Sequence, residues 1–217
     1  MTTPATPRPA SYLRLPAGGT LADAVALGAD GVSCELSIRD ERTVLAGDTG
    51  LEALLIDAAR RGVRVELVAG GQVDFGDQAS LIAASVATLV SARLITPDVR
   101  LTSLDHRALT AIGGNAVGLR LGLRHVAALH RGAQYAALLN ASSLHPLAGV
   151  TTREDVAEAT AEGIPVHAWT IPASWWPIPE RDQYDRACAA GVDAVTISDP
   201  GLLRLRDAAG EATEARA

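Results

Sequence analysis

Imidazole titrates closest to neutral pH, so the five histidines are the first place to look for proton transfer. His145 lies in Ser142-Ser143-Leu144-His145-Pro146, just after the apolar run Ala136 to Ala141. With that run read as a strand, His145 stands on a loop beyond it and is the candidate general acid or base. His167 precedes Trp169 by two residues in an extended-looking segment, so strand alternation sends both side chains to one side. Packing is the expected role of His167; Trp169 has the shape either to stack on a ligand or to pack. His106-Arg107, just past Asp105, reads as the polar start of a helix, and His130-Arg131-Gly132 follows a helix-like run. Trp175 and Trp176 form the one aromatic cluster in a chain with 3% aromatic residues. On a functional face they would make a lid or ligand wall; otherwise they pack against a rim.

Other chemistry is scarce. Cys34 and Cys188 lie far apart and read as small core residues, which gives no support to a disulfide framework or a cysteine metal site. The chain has no lysine, so all 19 basic side chains are arginines. A net charge of −6 and a pI near 5.3 provide no basic field for nucleic acid. The apolar runs are too short and too often interrupted by charge to span a membrane. Met1 to Ala10 is rich in Thr and Pro without an apolar stretch, so no secretory leader and a cytoplasmic location are expected.

The elements that must position these residues follow from the apolar spacing. Eight short runs rich in Val, Leu and Ile read as strands: Ser11 to Leu15, Gly31 to Ser37, Arg64 to Ala69, Val99 to Leu104, Ala116 to Leu123, Ala136 to Ala141, Pro165 to Ile171 and Ala194 to Ser198. Between them, Thr20 to Ala29, Leu51 to Arg61, Gln78 to Leu94, His106 to Ile112, Thr152 to Glu162 and Arg181 to Ala190 have helical spacing. The fifth unit, Arg124 to Gly132, is short. Gly62, Gly163 and Gly191 each stand just past a helix and before a strand, and Thr151-Thr152 offers a cap.

Eight strands alternating with helices predict a single-domain α/β (β/α)8 TIM barrel, and 217 residues is near the small end of that fold. The body is expected over 11–206, with flexible tails at 1–10 and 207–217. An open doubly wound sheet is the alternative; it would want a G-x-G-x-x-G loop, which Pro16-Ala17-Gly18-Gly19-Thr20 does not supply.

The stretch from Ala161 to Leu203 resembles the glycerophosphodiester phosphodiesterase family. Gly163-Ile164-Pro165-Val166-His167-Ala168-Trp169-Thr170 is similar to its strand ending in a Trp-Thr pair. Gly191-Val192-Asp193-Ala194-Val195-Thr196-Ile197-Ser198-Asp199-Pro200 is similar to its closing segment. Leu101-Thr102-Ser103-Leu104-Asp105 and Thr20 to Val32 extend the likeness over about residues 11 to 204.

That resemblance implies hydrolysis of a glycerophosphodiester to glycerol phosphate and an alcohol, as in lipid metabolism, by two histidines and a carboxylate-held divalent metal. The expected motifs are eroded here. Tyr12-Leu13-Arg14-Leu15-Pro16 stands where a His-Arg-Gly would be and retains only Arg14; Gly47 of Ala46-Gly47-Asp48 stands where the second histidine would be. Glu35 and Asp48 remain from the metal motifs, as does Glu66, but Val68 replaces a lysine. The resemblance therefore implies a weakly held Mg²⁺ or Ca²⁺ at Glu35, Glu66 and Asp48, with an internal ion pair to Arg14 or Arg64 as the alternative use of Glu35 and Glu66. Substrate contacts fall to Arg14, Trp169, Trp175 and Trp176, and His145 is the candidate relocated base. Three readings stay open: a weakened phosphodiesterase, a non-catalytic binder of a small phosphorylated or polyol ligand, and a barrel with an unrelated acquired reaction.

Overall fold

The computed structural model describes residues 8–16, 18–40, 43–69, 82, 85, 88, 89, 99–113, 119–172 and 174–204. Eight parallel strands form the barrel: β1 (Ala10–Arg14), β2 (Gly31–Asp40), β5 (Arg64–Ala69), β6 (Val99–Ser103), β7 (Arg120–His125), β8 (Ser143–Pro146), β9 (His167–Trp169) and β10 (Ala194–Ile197). They run in the order β8-β7-β6-β5-β2-β1-β10-β9. Parallel bridges Leu144 to Val166 and Leu147 to Trp169 join β8 to β9 and close the ring, so the open-sheet alternative is excluded.

One excursion departs from the plain alternation. The end of β2 turns back through β3 (Thr43–Ala46) and β4 (Thr49–Gly50), an antiparallel hairpin whose turn carries Gly47 and Asp48. The helices are α1 (Leu21–Ala26), α2 (Leu51–Arg61), α3 (His106–Gly113), α4 (Gly132–Leu138), α5 (Arg153–Ala161) and α6 (Glu180–Ala190). Thr20 and Thr152 begin α1 and α5 with reciprocal capping boxes to Asp23 and Asp155. Gly62 and Gly191 end α2 and α6 in the left-handed conformation, as their position before a strand predicts.

Two expectations along the chain are corrected. The run Ala136 to Ala141 is not a strand: Ala136 to Leu138 complete α4, Asn140 turns at φ 53°, and the sixth barrel strand is Ser143–Pro146. Alanine is the strongest helix former, and the run supplies no β-branched residue. The short fifth unit accordingly ends in a helix beginning at Gly132, with Arg131 turning at φ 56°. Gln78 to Leu94 lies mostly outside the described residues, as do the greater part of both predicted tails. No helix among the described residues is long and apolar enough to cross a membrane.

Apolar residues concentrate in the wall outside the barrel. Val32, Leu67, Leu101, Leu123, Val195 and Ile197 face the helices and pack with Leu55, Leu109, Ala136, Ala159 and Ala187. The inward positions of the same strands carry Ser33, Glu66, Thr102, Ser143, His145 and Thr196, all buried. This polar interior is where the candidate chemistry sits.

Candidate functional site

Glu66 is the hub of the interior. Thr102 Oγ1 donates to its Oε1 at 3.1 Å, and Thr196 Oγ1 donates to Oε2 at 3.0 Å from across the barrel. His145 Nδ1 lies 3.1 Å from Oε1, close enough for strong attraction although out of line for a straight hydrogen bond. Glu66 is only 3% exposed, so it occupies the middle of the barrel rather than the C-terminal rim where the family pattern puts a metal ligand. Its neighbour is His145, not Arg14 or Arg64 as expected for an internal ion pair. Burial alone would raise the Glu66 carboxyl, but His145, Arg124 and Ser33 hold it well below the ordinary range.

His145 is likewise displaced from its expected place. It is an inward residue of β8, 1% exposed, with Nε2 3.0 Å from Ser143 Oγ. The loop predicted to carry it does not exist, because the strand begins after the alanine-rich segment. Burial pushes its pKa down to about 4, against the pull of Glu66 and with help from Arg100 and Arg124. At neutral pH the pair is a carboxylate beside a neutral imidazole. Gly122 on β7 makes room for it: a Cβ there would run into the imidazole and lie 2.9 Å from Ser143 Oγ. His167 packs beneath, its ring centroid 5.2 Å from that of His145, and burial lowers its pKa to about 2.

Above this hub, the C-terminal ends of the strands bring together Arg14, Arg124, Trp169 and Glu35. The Arg124 guanidinium lies 4.2 Å over the Trp169 ring, and Trp169 Nε1 donates to His145 O at 2.9 Å. Trp169 is 7% exposed with one face covered by Arg124, so of the two roles its shape allows, stacking or packing, it takes the packed one at the floor of the mouth. Arg124 was not singled out in the sequence. It is 5% exposed, and neither Nε nor Nη2 has a hydrogen-bond partner. Burial lowers its pKa to about 10, opposed chiefly by Glu66, so it keeps its charge at neutral pH. Arg14 Nη2 donates to Thr170 O at 3.1 Å. Thr170 Oγ1 and Ser198 N both donate to Glu180 Oε1 at the start of α6, and Ser198 Oγ is buried without a partner.

The remaining candidates scatter. Glu35 is exposed at the rim, where its charge acts on Arg124. Asp48 accepts from Gly18 N at 2.7 Å beside a cavity lined by Thr20 and Asp57. No group of three or more His, Cys, Asp or Glu able to hold an ion occurs among the described residues, so Glu35, Asp48 and Glu66 do not form one. Trp175 is 79% exposed, while Trp176 packs near Gly149 and Ile178. His106 is the first residue of α3, and its ring reaches neighbouring elements: Nε2 lies 2.7 Å from Arg124 O and Nδ1 3.2 Å from Tyr135 Oη. His130 is exposed at the turn into α4.

No family model matches the sequence, and no curated protein does. Solved structures match over nearly the whole chain. A candidate glycerophosphodiester phosphodiesterase from Galdieria sulphuraria aligns with a TM-score of 0.73 at 13% identity, covering 92% of this chain and 98% of that one. An Oleispira antarctica phosphodiesterase, solved in complex with the product sn-glycerol-3-phosphate, aligns at 0.68 and 17% identity over 91% and 96%. A glycerophosphodiester phosphodiesterase from Parabacteroides distasonis aligns at 0.65 and 12% over 91% and 97%. The chain thus has the barrel fold of these glycerophosphodiester phosphodiesterases, with Glu66 and His145 closing its interior and Arg14 and Arg124 at its C-terminal mouth.

Proposed function

We propose that the chain is a glycerophosphodiester phosphodiesterase-like protein that binds a small phosphorylated or polyol ligand at the C-terminal mouth and hydrolyses phosphodiesters weakly or not at all. The observation that carries this reading is Arg124, a buried guanidinium with two unpartnered nitrogens close enough to Arg14 for their charges to interact. Arginine holds a phosphoryl oxygen through directed hydrogen bonds without a metal. Val68 stands where the family motif has a lysine, and Arg124 supplies a cation from β7 instead. Glu35 and Ser198 offer an acceptor and a hydroxyl for the alcohol groups of a polyol.

Proton transfer is what the mouth lacks. Gly47 and the Arg14 segment carry no histidine, and the buried imidazoles of His145 and His167 are screened from the mouth by Arg124 and Trp169. The dispersed Glu35, Asp48 and Glu66 do not fit a shared divalent cation, so recognition rests on the guanidinia. Calorimetry with glycerol 3-phosphate tests the proposal. Binding is expected in the presence of a chelator and weakened at least tenfold by Arg14→Ala; binding that needs Mg²⁺ or Ca²⁺ and ignores Arg14→Ala would overturn it.

A further inference from the structure

The opposite end of the barrel holds a cavity that the resemblance does not address. Arg64 is the first residue of β5, Arg100 the second of β6 and Arg120 the first of β7, three adjacent strands. Each points inward at the N-terminal mouth, where they line a cavity with Tyr12, Pro165, His167 and Glu66. Its empty volume is about 660 Å³, including space open to solvent. The register sets Glu66 beside Arg100 and Arg100 beside Arg120, so the two guanidinium stems rise from positions one strand spacing apart, about 4.8 Å.

No carboxylate lies within ion-pair distance of Arg100 or Arg120 among the described residues. Glu66 forms the floor of the cavity, but its oxygens are engaged by Thr102, Thr196 and His145. Asp30 and Asp193, in the turns at this end, accept from Ser11 N and Val166 N. Arg100 Nη1 contacts the neutral His167, while Arg100 Nε is buried without a partner. Burial destabilises the Arg100 charge, and Arg120 and Arg64 add to that, with Glu66 opposing. Arg100 and Arg120 thus meet in a half-enclosed space without an ion-pairing carboxylate among the described residues, and Arg64 lies at its edge.

We infer that the N-terminal mouth is a second ligand site, taking a small oxyanion, inorganic phosphate or a phosphomonoester, between Arg100 and Arg120, with Arg64 at its edge. An oxyanion supplies the partner that Arg100 and Arg120 lack, and planar guanidinium donors suit its tetrahedral oxygens. This inference is independent of the reading of the C-terminal mouth, since the two sites share none of their arginines.

Arg64 and Arg120 are exposed at the rim, so the double variant Arg64→Gln/Arg120→Gln keeps the core intact. Inorganic phosphate titrated by calorimetry into the Arg14→Ala protein, in which the C-terminal mouth is weakened, is expected to bind, and adding the double variant to weaken that binding at least tenfold. The single charge-keeping variant Arg120→Lys, which removes the planar fork alone, is expected to lose less than Arg120→Gln. Glycerol 3-phosphate, titrated into the Arg14→Ala protein, separates the two sources: tighter binding than phosphate supports a phosphomonoester whose carbon chain lies along Tyr12 and Pro165, and equal binding supports the free oxyanion. Absence of phosphate binding in the Arg14→Ala protein, or equal binding with and without the double variant in that background, would overturn the inference.

Discussion

At the C-terminal mouth Arg14 and Arg124 share their surroundings with Glu35, Glu180 and, beneath them, Glu66; at the N-terminal mouth Arg100 and Arg120 line a cavity with no carboxylate within ion-pair distance of them among the described residues. The first arrangement suits a ligand presenting hydroxyls and one anionic group. The second suits a compact anion. Between them the Glu66–His145 pair closes the barrel axis, so the two mouths are separate rather than ends of one channel. The comparison teaches that a motif-based resemblance and the pairing of charges can point to opposite faces of one barrel, because motifs follow ancestry while charge pairing follows the residues present.

The comparison can be broken first at the level of turnover. With neither family histidine at its position, and each positioned acid or base worth about 10²- to 10⁴-fold, glycerophosphodiester hydrolysis with Mg²⁺, Ca²⁺ or Mn²⁺ is expected to fall at least roughly 10⁴-fold short of an intact enzyme of this fold. Release of glycerol phosphate measured by a coupled assay checks this. Robust turnover abolished by His145→Ala would mean that the imidazole reaches substrate after all.

The hub that separates the mouths comes next. His145→Ala removes the imidazole beside the ionised Glu66 and opens a void next to Gly122, so a stability loss of about 3 kcal/mol is expected in denaturant unfolding. Loss below about 1 kcal/mol would show that Thr102 and Thr196 suffice to hold the carboxylate.

The same residue predicts an acid limb. Its folded pKa is about 4 against an ordinary 6.5, so between those values the unfolded chain binds a proton that the folded chain refuses. Stability should therefore be fully present above about pH 6.5 and fall as pH drops toward 4, by on the order of 3 kcal/mol for this group. Burial of neutral His167 and the depressed Glu66 carboxyl act in the same direction. Unfolding free energy measured from pH 7 to 4 should lose part of its slope in His145→Gln. The smallest effect is expected at Trp175, which is 79% exposed: Trp175→Ala should change stability by no more than about 0.5 kcal/mol.

Much of the barrel was legible because its outer wall is conventional. Val32, Leu67, Leu101 and Val195 sit in runs whose apolar content and flanking glycines identify strands directly. The strand Ser143–Pro146 was not legible, because its inward positions are Ser143 and His145 and its outward ones are Leu144 and Pro146, a pattern that reads as a loop. The neighbouring alanine-rich helix end then took the strand's place in the reading. The same polar interior hid the site. Glu66 meets Thr196 across 130 residues, and Arg124 meets Trp169 through the closure of the ring, so neither contact leaves a local spacing signal. Arg14 was visible because it survives in a motif; Arg124, Arg100 and Arg120 belong to none.

The central claim is that the C-terminal mouth keeps a metal-independent ligand site after losing its proton-transfer groups. Its most direct test is calorimetry of glycerol 3-phosphate in chelator, using Arg64→Gln/Arg120→Gln protein so that the N-terminal mouth is silenced. The account predicts binding that adding Arg14→Ala weakens at least tenfold and that Mg²⁺ leaves within about twofold. Binding that appears only with the cation, or that is indifferent to Arg14, would contradict it.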